Sequence, residues 1–460
     1  MLKKLLKNLI PFLSLYFIVF SNFVFASESS SNSSSEHTIL IKTLYFFALI
    51  LFLSKLGALV EKFGIPSVLG ELSAGILISF LIYLNVPSLE GIKDNEILSF
   101  LAEFGAILLL FQTGLESNIF EMLKVGVKSL LVAVTGVIWP FILGAFILGP
   151  YLFPSSNLST LLFIGASLVA TSVGITASVF RSQKIIKTSP AKIVLGAAVI
   201  DDILGLLILS VVSGLVIAGS ISVPSILVVL FKAGAFLLIS IFIGHFFADK
   251  ISYFFSKIHS GEGTKLSLAI IFALLYSYLA SLAGLEPIIG AFAAGLVLDV
   301  VHFKYFDLPS FFYAIKDLSE LNGSKKDKQV VKKIRHLVEH THVENMISSL
   351  TVVFVPLFFA YVGMQVDIKP LLNPSMYLSA FILTIFAIFT KVIAGFSIKT
   401  NLKNQLLIGF SMVPRGEVGL IFLSVGKGYG VLPSNVFSVL LLTIILTTFI
   451  APFAIKKVAK

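Results

Sequence analysis

The chain is predicted to be an all-α polytopic membrane protein of about thirteen transmembrane helices, built as an inverted repeat with two discontinuous helices. Three observations lead there. Mean hydropathy is +1.01, with 57% hydrophobic and only 13% charged residues in 460, where soluble domains carry about 25% charged residues. Lys and Arg are confined to alternate loops. Two apolar stretches placed alike in the two halves of the chain are interrupted by Gly, Pro and hydroxyl residues.

The elements follow in order. MLKKLLKNL is basic, IPFLSLYFIVFSNFVF is apolar and Ala26 fits a small-residue cleavage site, so residues 1–26 read as a signal peptide, with an uncleaved extra helix as the alternative. The Ser-rich segment 27–38 is too polar to bury a core and is expected to be disordered. Apolar spans then run over approximately 39–60, 66–84, 97–115, 127–150, 158–180, 190–217, 223–245, 264–283, 286–303, 345–367, 376–400, 404–428 and 433–455, each near the roughly 20 residues that cross a bilayer. Spans eight and nine meet at Gly284–Pro287, the least marked division.

Charge placement tests this count. With residue 37 outside and spans alternating, the inner segments hold 23 Lys and Arg and the outer ones four: Lys42, Lys93, Lys369 and Lys427. Adding or dropping one span destroys the asymmetry, so the positive-inside rule puts the N-terminus outside and the C-terminus in the cytoplasm of an inner (plasma) membrane protein. The net charge of +10 is therefore topological and implies no nucleic-acid partner. Absence of Cys excludes disulfides, thiolate metal sites and a cysteine nucleophile.

PSVLGELSAG (66–75) in span two resembles PIIGAFAAG (287–295) in span nine. The two are seven spans apart and so run in opposite directions, which marks an inverted repeat of spans 1–6 against 8–13 with span seven as connector. Chance likeness of small-residue packing helices is the alternative. The same offset pairs span five, ATSVGITAS (170–178), with span twelve, MVPRGEVGL (412–420). Paired interruptions of this kind point to a transporter binding site, because broken helices free backbone groups that must find partners.

The loop 304–344 is the one large polar element. Residues 308–321 place Phe311, Phe312, Ile315 and Leu318 on one helical face, and 325–340 form a basic amphipathic helix. His336, Glu339 and His340 match the H-x-x-E-H spacing of zinc proteases. No catalytic fold surrounds them before the chain re-enters the membrane, so they read as part of a solvated basic helix.

Eleven ionisable residues fall within or at the ends of the spans: Lys55, Glu71, Glu103, Asp201, Asp202, Lys232, Glu286, Asp299, Lys391, Arg415 and Glu417. Asp201 and Asp202 stand in the middle of KIVLGAAVIDDILGLLILSVVSGLVIAG. One charge there costs about 2.5–3.5 kcal/mol, and nothing in helix packing requires it, so the pair reads as an ion or proton site. Neighbours on a helix point about 100° apart, so one aspartate can line a cavity while the other pairs with a cation. A carboxylate able to hold either a proton or a metal ion is the minimal exchanger, and its hard oxygens suit Na⁺. Lys391 in span eleven is the obvious partner, as a structural counter-charge or as part of the chemistry. Arg415 and Glu417, at the break in span twelve, can satisfy freed backbone groups and helix ends, in a structural or a functional role. Lys55, Glu286 and Asp299 lie close enough to span ends to reach the interface, and Glu71 and Glu103 can pair locally or line a dimer surface.

PSVLGELSAGIL, FGAILLLFQTGLES, ATSVGITAS, VIDDILGLL, PIIGAFAAGLVL, VGMQVD, TKVIAG and VPRGEVGLI, in this order, resemble the cation:proton antiporter 2 family, bacterial sodium/proton antiporters of the Nap type, over nearly the whole chain. The resemblance implies thirteen spans, two crossed broken helices, and a homodimer. Dimer-type helices would occupy about 39–115 and 264–367, core helices about 127–217 and 376–455, and the connector 223–245. It implies that Asp202 binds the transported ion and carries protons, that Asp201 pairs with Lys391, and that Thr171 and Ser172 sit at the first break, with Asp202, Asp201 and Thr171 as the oxygen ligands of the metal ion. The Asp-Asp pair resembles the electrogenic branch. Kef-type relatives append a soluble nucleotide-binding domain, and ending at Lys460 without one argues against that subtype.

The expected function is thus secondary active Na⁺/H⁺ antiport by alternating access, with Li⁺ or K⁺ as other cargo, membrane lipid as surroundings, and no resident cofactor or enzymatic step. A K⁺/H⁺ antiporter or a cation channel on the same scaffold is the alternative, and a membrane enzyme built on the His-bearing loop is the third. Nothing in the sequence resembles a selectivity filter.

Overall fold

The computed structural model describes residues 35–63, 65–116, 126–218, 223–298, 306–307 and 325–459. The signal peptide, most of the Ser-rich segment, Asp299 and the amphipathic segment 308–321 lie outside these. The described residues are helical, with no strand among them.

Helices α1 (Ser35–Gly57), α2 (Ser67–Tyr83), α3 (Glu96–Glu116) and α4 (Val127–Leu152) are followed by two half-helices, α5 (Leu158–Ser167) and α6 (Val173–Ser182), and by α7 (Ser189–Ala218). After α8 (Val223–Ile258) the same order returns as α9 (Glu262–Leu282), α10 (Pro287–Val297), α11 (Lys325–Met364), α12 (Pro374–Ala394), the half-helices α13 (Leu402–Ser411) and α14 (Gly416–Gly428), and α15 (Ser434–Ala459). Among the described residues nine helices are long and apolar enough to cross a membrane, and four shorter apolar ones accompany them.

Local chemistry sets several ends. Asn157 and Asn401 cap α5 and α13 by accepting from the backbone N–H of Thr160 and Asn404, the side-chain cap that a helix start favours. Proline opens α10 and α12 at positions where its missing N–H costs nothing. Within α4 the chain winds a π-turn over Gly144–Leu148 beyond Pro140.

The repeat is written into the packing. Gly70 and Gly290 are the first glycines of the two motifs. A Cβ on the first would meet the Gly57 carbonyl in α1, and on the second the Tyr276 carbonyl in α9. Gly75 and Gly295 follow five residues later in each motif. Gly75 abuts the Ala360 carbonyl and Gly363 in α11, and Gly295 abuts the Phe111 carbonyl and Gly114 in α3. In the other half of each repeat, Gly165 faces the Phe141 carbonyl and Gly409 the Val392 carbonyl. Small residues let membrane helices approach backbone to backbone. Equivalent contacts between equivalent helices exclude chance likeness of the two motifs.

Helices α2, α3, α9, α10 and α11, with α1, pack on one another, as do α4, α7, α12, α13 and α15, while α8 touches α7 and α10. Two boundaries differ from the sequence reading. The basic segment 325–340 and the following span form one continuous helix, α11, because no Gly or Pro separates them and a change of polarity is not a helix stop. The connector helix extends thirteen residues beyond 245, to Ile258.

Candidate functional site

The two interrupted helices cross at their breaks. Helix α5 ends on Leu168 and the chain resumes helical form at Val173, while α13 ends on Met412 and α14 begins at Gly416. Each gap strands backbone groups in apolar surroundings, where they must be paired. They are paired largely with each other. The Ser172 N–H donates to the Pro414 carbonyl at 2.7 Å, the Thr176 hydroxyl to the Ser411 carbonyl at 2.7 Å, and the Thr171 hydroxyl to the Met412 carbonyl at 3.1 Å. The Gly416 N–H donates to Thr448 Oγ1 on α15 at 3.2 Å. Gly416 has φ +48, the left-handed region that glycine adopts without a Cβ penalty.

Arg415 is fully buried. Its guanidinium donates from Nη1 to the Leu168 carbonyl at the end of α5 and from Nη2 to the Ala387 carbonyl of α12, the latter at 3.2 Å. A cation at a helix C-terminus opposes the partial negative charge of the unpaired carbonyls, and the planar fork reaches two acceptors at once.

Beside the crossing lies the buried ion pair. Lys391, in the last turn of α12, has no solvent exposure, and neither does Asp201 on α7. Lys391 Nζ stands 3.1 and 3.4 Å from the two carboxylate oxygens of Asp201 and donates to Thr171 Oγ1 at 2.7 Å. The ammonium therefore ties α7 and α12 to the first helix break. Gly136 on α4 borders it, since a Cβ there would lie 3.8 Å from Nζ, in ordinary van der Waals contact. A buried pair of this kind is stabilising only when further hydrogen bonds satisfy both ions, and Thr171 supplies one. Asp202 is 5% exposed and its charge also acts on Lys391.

The expected residues converge unevenly. Asp201, Lys391 and Thr171 are brought into direct contact, with Asp202 next along α7. Ser172 contributes through its backbone, and Arg415 binds carbonyls, although its charge acts on Asp201. Glu417 falls in the first turn of α14, and its side chain lies outside the described ones, as do those of His336, Glu339 and His340 on α11. Among the described residues no cluster of three or more His, Cys, Asp or Glu is arranged to hold a metal ion. Two participants were not singled out from the sequence: Thr448 and the Ser411 carbonyl. The signal for the last was present in the Pro-Arg-Gly that follows it, which breaks the helix and frees the carbonyl.

One expectation is corrected. Glu286 does not reach an interface. It is 9% exposed and lines a cavity with Glu103 of α3 and with Tyr429, just past α14.

Residues 48–310 and 322–460 match the family model described as sodium/hydrogen exchanger, transmembrane. The chain is 33% identical to the high-affinity Na(+)/H(+) antiporter NhaS3 of Synechocystis sp., covering 90% of this chain and 89% of the relative. It is also 33% identical to the Na(+)/H(+)-K(+) antiporter GerN of Bacillus cereus, covering 90% and 95%. The sodium proton antiporter MjNhaP1 of Methanocaldococcus jannaschii has the same fold, with TM-score 0.64 at 17% identity over 92% of this chain and 97% of that one. The chain belongs to the transmembrane sodium/hydrogen exchanger family.

Proposed function

We propose that this protein exchanges Na⁺ for protons across the plasma membrane by alternating access. Asp202 is the carboxylate that carries either ion, with Asp201 and Thr171 as further oxygen ligands. Lys391 is the counter-charge that Asp202's neighbour holds. The observation behind this reading is the buried Lys391–Asp201–Thr171 cluster at the crossing of two broken helices, with a second carboxylate adjacent. Ionisable groups are costly inside a membrane, and those kept there mark ion and proton pathways.

Exchange is electrogenic, with two protons per Na⁺, and the protein works as a homodimer with its N-terminus outside and its C-terminus in the cytoplasm. Residues 1–26 are removed as a signal peptide. A second reading, K⁺/H⁺ exchange, draws support from the K(+) in the name of GerN.

Proteoliposomes loaded with a pH-sensitive dye test both. Added Na⁺ should enter in exchange for lumenal protons and raise internal pH. A response to K⁺ equal to that to Na⁺ selects the second reading, and silence to Na⁺, Li⁺ and K⁺ alike defeats the proposal.

A further inference from the structure

A groove of about 560 Å³ opens between α13 and α15. It lies at the lysine-rich end of these helices, the end the charge count places in the cytoplasm. Its walls are apolar, with Leu406 and Phe410 from α13 and Ala454 and Val458 from α15. Its charged members are Lys403, in the first turn of α13, and Lys457, in the last turn of α15. Both are exposed. Among the described residues neither ammonium has an ion-pair or hydrogen-bond partner.

Topology accounts for lysines at this end but not for the lack of acids. The positive-inside rule counts Lys and Arg and is nearly blind to Asp and Glu, so an inner surface is free to carry both signs. Elsewhere it does, as with Asp249, Glu262 and Asp307. The three inner segments nearest the groove, 181–192, 395–405 and 452–460, hold nine Lys and Arg and no Asp or Glu. They meet through one apolar cluster that includes Ile185, Ile398, Leu407 and Ile455. The first repeat supplies the comparison. Asn157 caps α5 as Asn401 caps α13, yet Ser159 stands in the place of Lys403, and the end of α7 over residues 213–218 is uncharged. The half-helix and its neighbour therefore form without these lysines.

An apolar slot with two unpaired ammoniums at its rim matches an amphiphile with an anionic head and a hydrocarbon tail. We infer that the groove binds an anionic phospholipid of the cytoplasmic leaflet, its phosphate between Lys403 and Lys457 and an acyl chain along Leu406 and Phe410. Basic pockets between helices on the cytoplasmic side take acidic headgroups in this way. A zwitterionic phospholipid fits less well, because it brings an ammonium of its own up to two others. A free phosphate gains nothing from the apolar wall. The Ser411 and Met412 carbonyls at the end of α13 accept from Thr176 and Thr171, so a lipid seated along α13 also braces one arm of the helix crossing.

The test is lipid binding by the delipidated full-length protein in a neutral detergent, read by native mass spectrometry for the first lipid bound. Dioleoyl phosphatidylglycerol should bind about tenfold or more tightly than dioleoyl phosphatidylcholine, the order expected when two lysines face an anionic head. It should also raise the melting temperature by more than phosphatidylcholine does. Lys403→Gln combined with Lys457→Gln should bring the two affinities within about twofold of each other. Lys250→Gln combined with Lys257→Gln removes the same charge from α8, where the two lysines lie over Phe247 and Tyr253, and should leave the preference intact. Ala454→Phe fills the groove, keeps both lysines and should weaken phosphatidylglycerol binding. Inorganic phosphate should neither compete nor stabilise. No preference in the wild type, equal loss in the two lysine pairs, or unchanged binding in Ala454→Phe overturns the site. Competition by inorganic phosphate shows a free-anion site and overturns the lipid assignment.

Discussion

Ser172 and Gly416 are equivalent residues of the two repeats, and they touch. Each is the fourth residue past the C-cap of its preceding half-helix, Leu168 and Met412. A Cβ on Gly416 would fall 2.5 Å from Ser172 Cβ, and the Ser172 N–H already bonds the Pro414 carbonyl two residues before Gly416. The pseudo-symmetry axis therefore passes through the crossing. The same helical interruption is used twice, each copy satisfying backbone groups of the other.

Gly416→Ala tests that contact. It combines a left-handed backbone, costing about 1–2 kcal/mol for a residue with a Cβ, with an overlap on Ser172. Thermal stability in detergent should fall and exchange should fall with it. Ser172→Gly in the same chain should recover the steric part only. Additive losses in the double variant would show that the two residues are not in contact.

Arg415→Lys should also damage the crossing. The guanidinium serves the Leu168 and Ala387 carbonyls together, and a lysine ammonium on a flexible stem cannot span both. One buried carbonyl left unpaired costs about 1–3 kcal/mol. A lower melting temperature with reduced exchange is expected. A variant of wild-type stability would make the arginine's charge, and not its fork, the relevant property.

Gly75→Leu probes the mirrored packing away from the ions. Its Cβ would overlap the Ala360 carbonyl of α11, and overpacking costs about 1–3 kcal/mol. Gly295→Leu should cost a similar amount by displacing the equivalent Phe111 carbonyl of α3. Melting of the two variants in detergent, against wild type, measures it. A large loss in one and none in the other would contradict equivalent roles.

Much of this architecture was legible in the sequence because membrane burial makes charge and breakers conspicuous. A lysine and an aspartate pair at mid-span had few ways to be compatible with the bilayer, and the Lys391–Asp201 contact is one of them. The Gly and Pro at the two breaks likewise announced interrupted helices. Partners were harder to read. Hydropathy gives depth along a helix but not which neighbour lies across from a given face. Arg415 was visible as a residue at a break, whereas the Ala387 carbonyl it binds lies in an unbroken helix with nothing in the sequence to mark it. Depth alone puts Glu286 at a span end, whereas the residues that share its cavity, Glu103, Tyr361 and Tyr429, are distant in sequence. In α11 the polarity of the chain changes at residues 341–345, where there is no Gly or Pro, so hydropathy marks a boundary that the helix runs straight through.

Asp202→Asn tests the carboxylate proposed to exchange the ions. Asparagine keeps the size and the hydrogen bonding but cannot titrate or carry the charge a cation needs. Cation-driven proton flux should disappear while the protein still elutes as a single species from a sizing column. Exchange at near wild-type rate would move the site to Asp201 or elsewhere.

The proposed two-for-one exchange is tested at Lys391. Two carboxylates and one intramembrane lysine offer more proton-binding capacity than one-for-one exchange requires. The contact of Lys391 with Asp201 and Thr171 lets a cation that engages the aspartates displace the ammonium's proton as well. Two protons per Na⁺ move one net charge per cycle and couple transport to voltage by about 2.3 kcal/mol per 100 mV. An inside-negative membrane then drives two protons in and one Na⁺ out. In proteoliposomes clamped with a potassium/valinomycin potential, the Na⁺ ratio at which flux reverses should shift about tenfold for each ~59 mV. A reversal point that ignores voltage rejects two-for-one exchange. Lys391→Ala separates the remaining possibilities. Removing one partner of a buried pair costs about 3–5 kcal/mol, so stability should drop, and at low temperature the surviving protein should reverse at a point independent of voltage. If the variant keeps the tenfold shift, the lysine serves only to hold Asp201, and both protons travel on the aspartates.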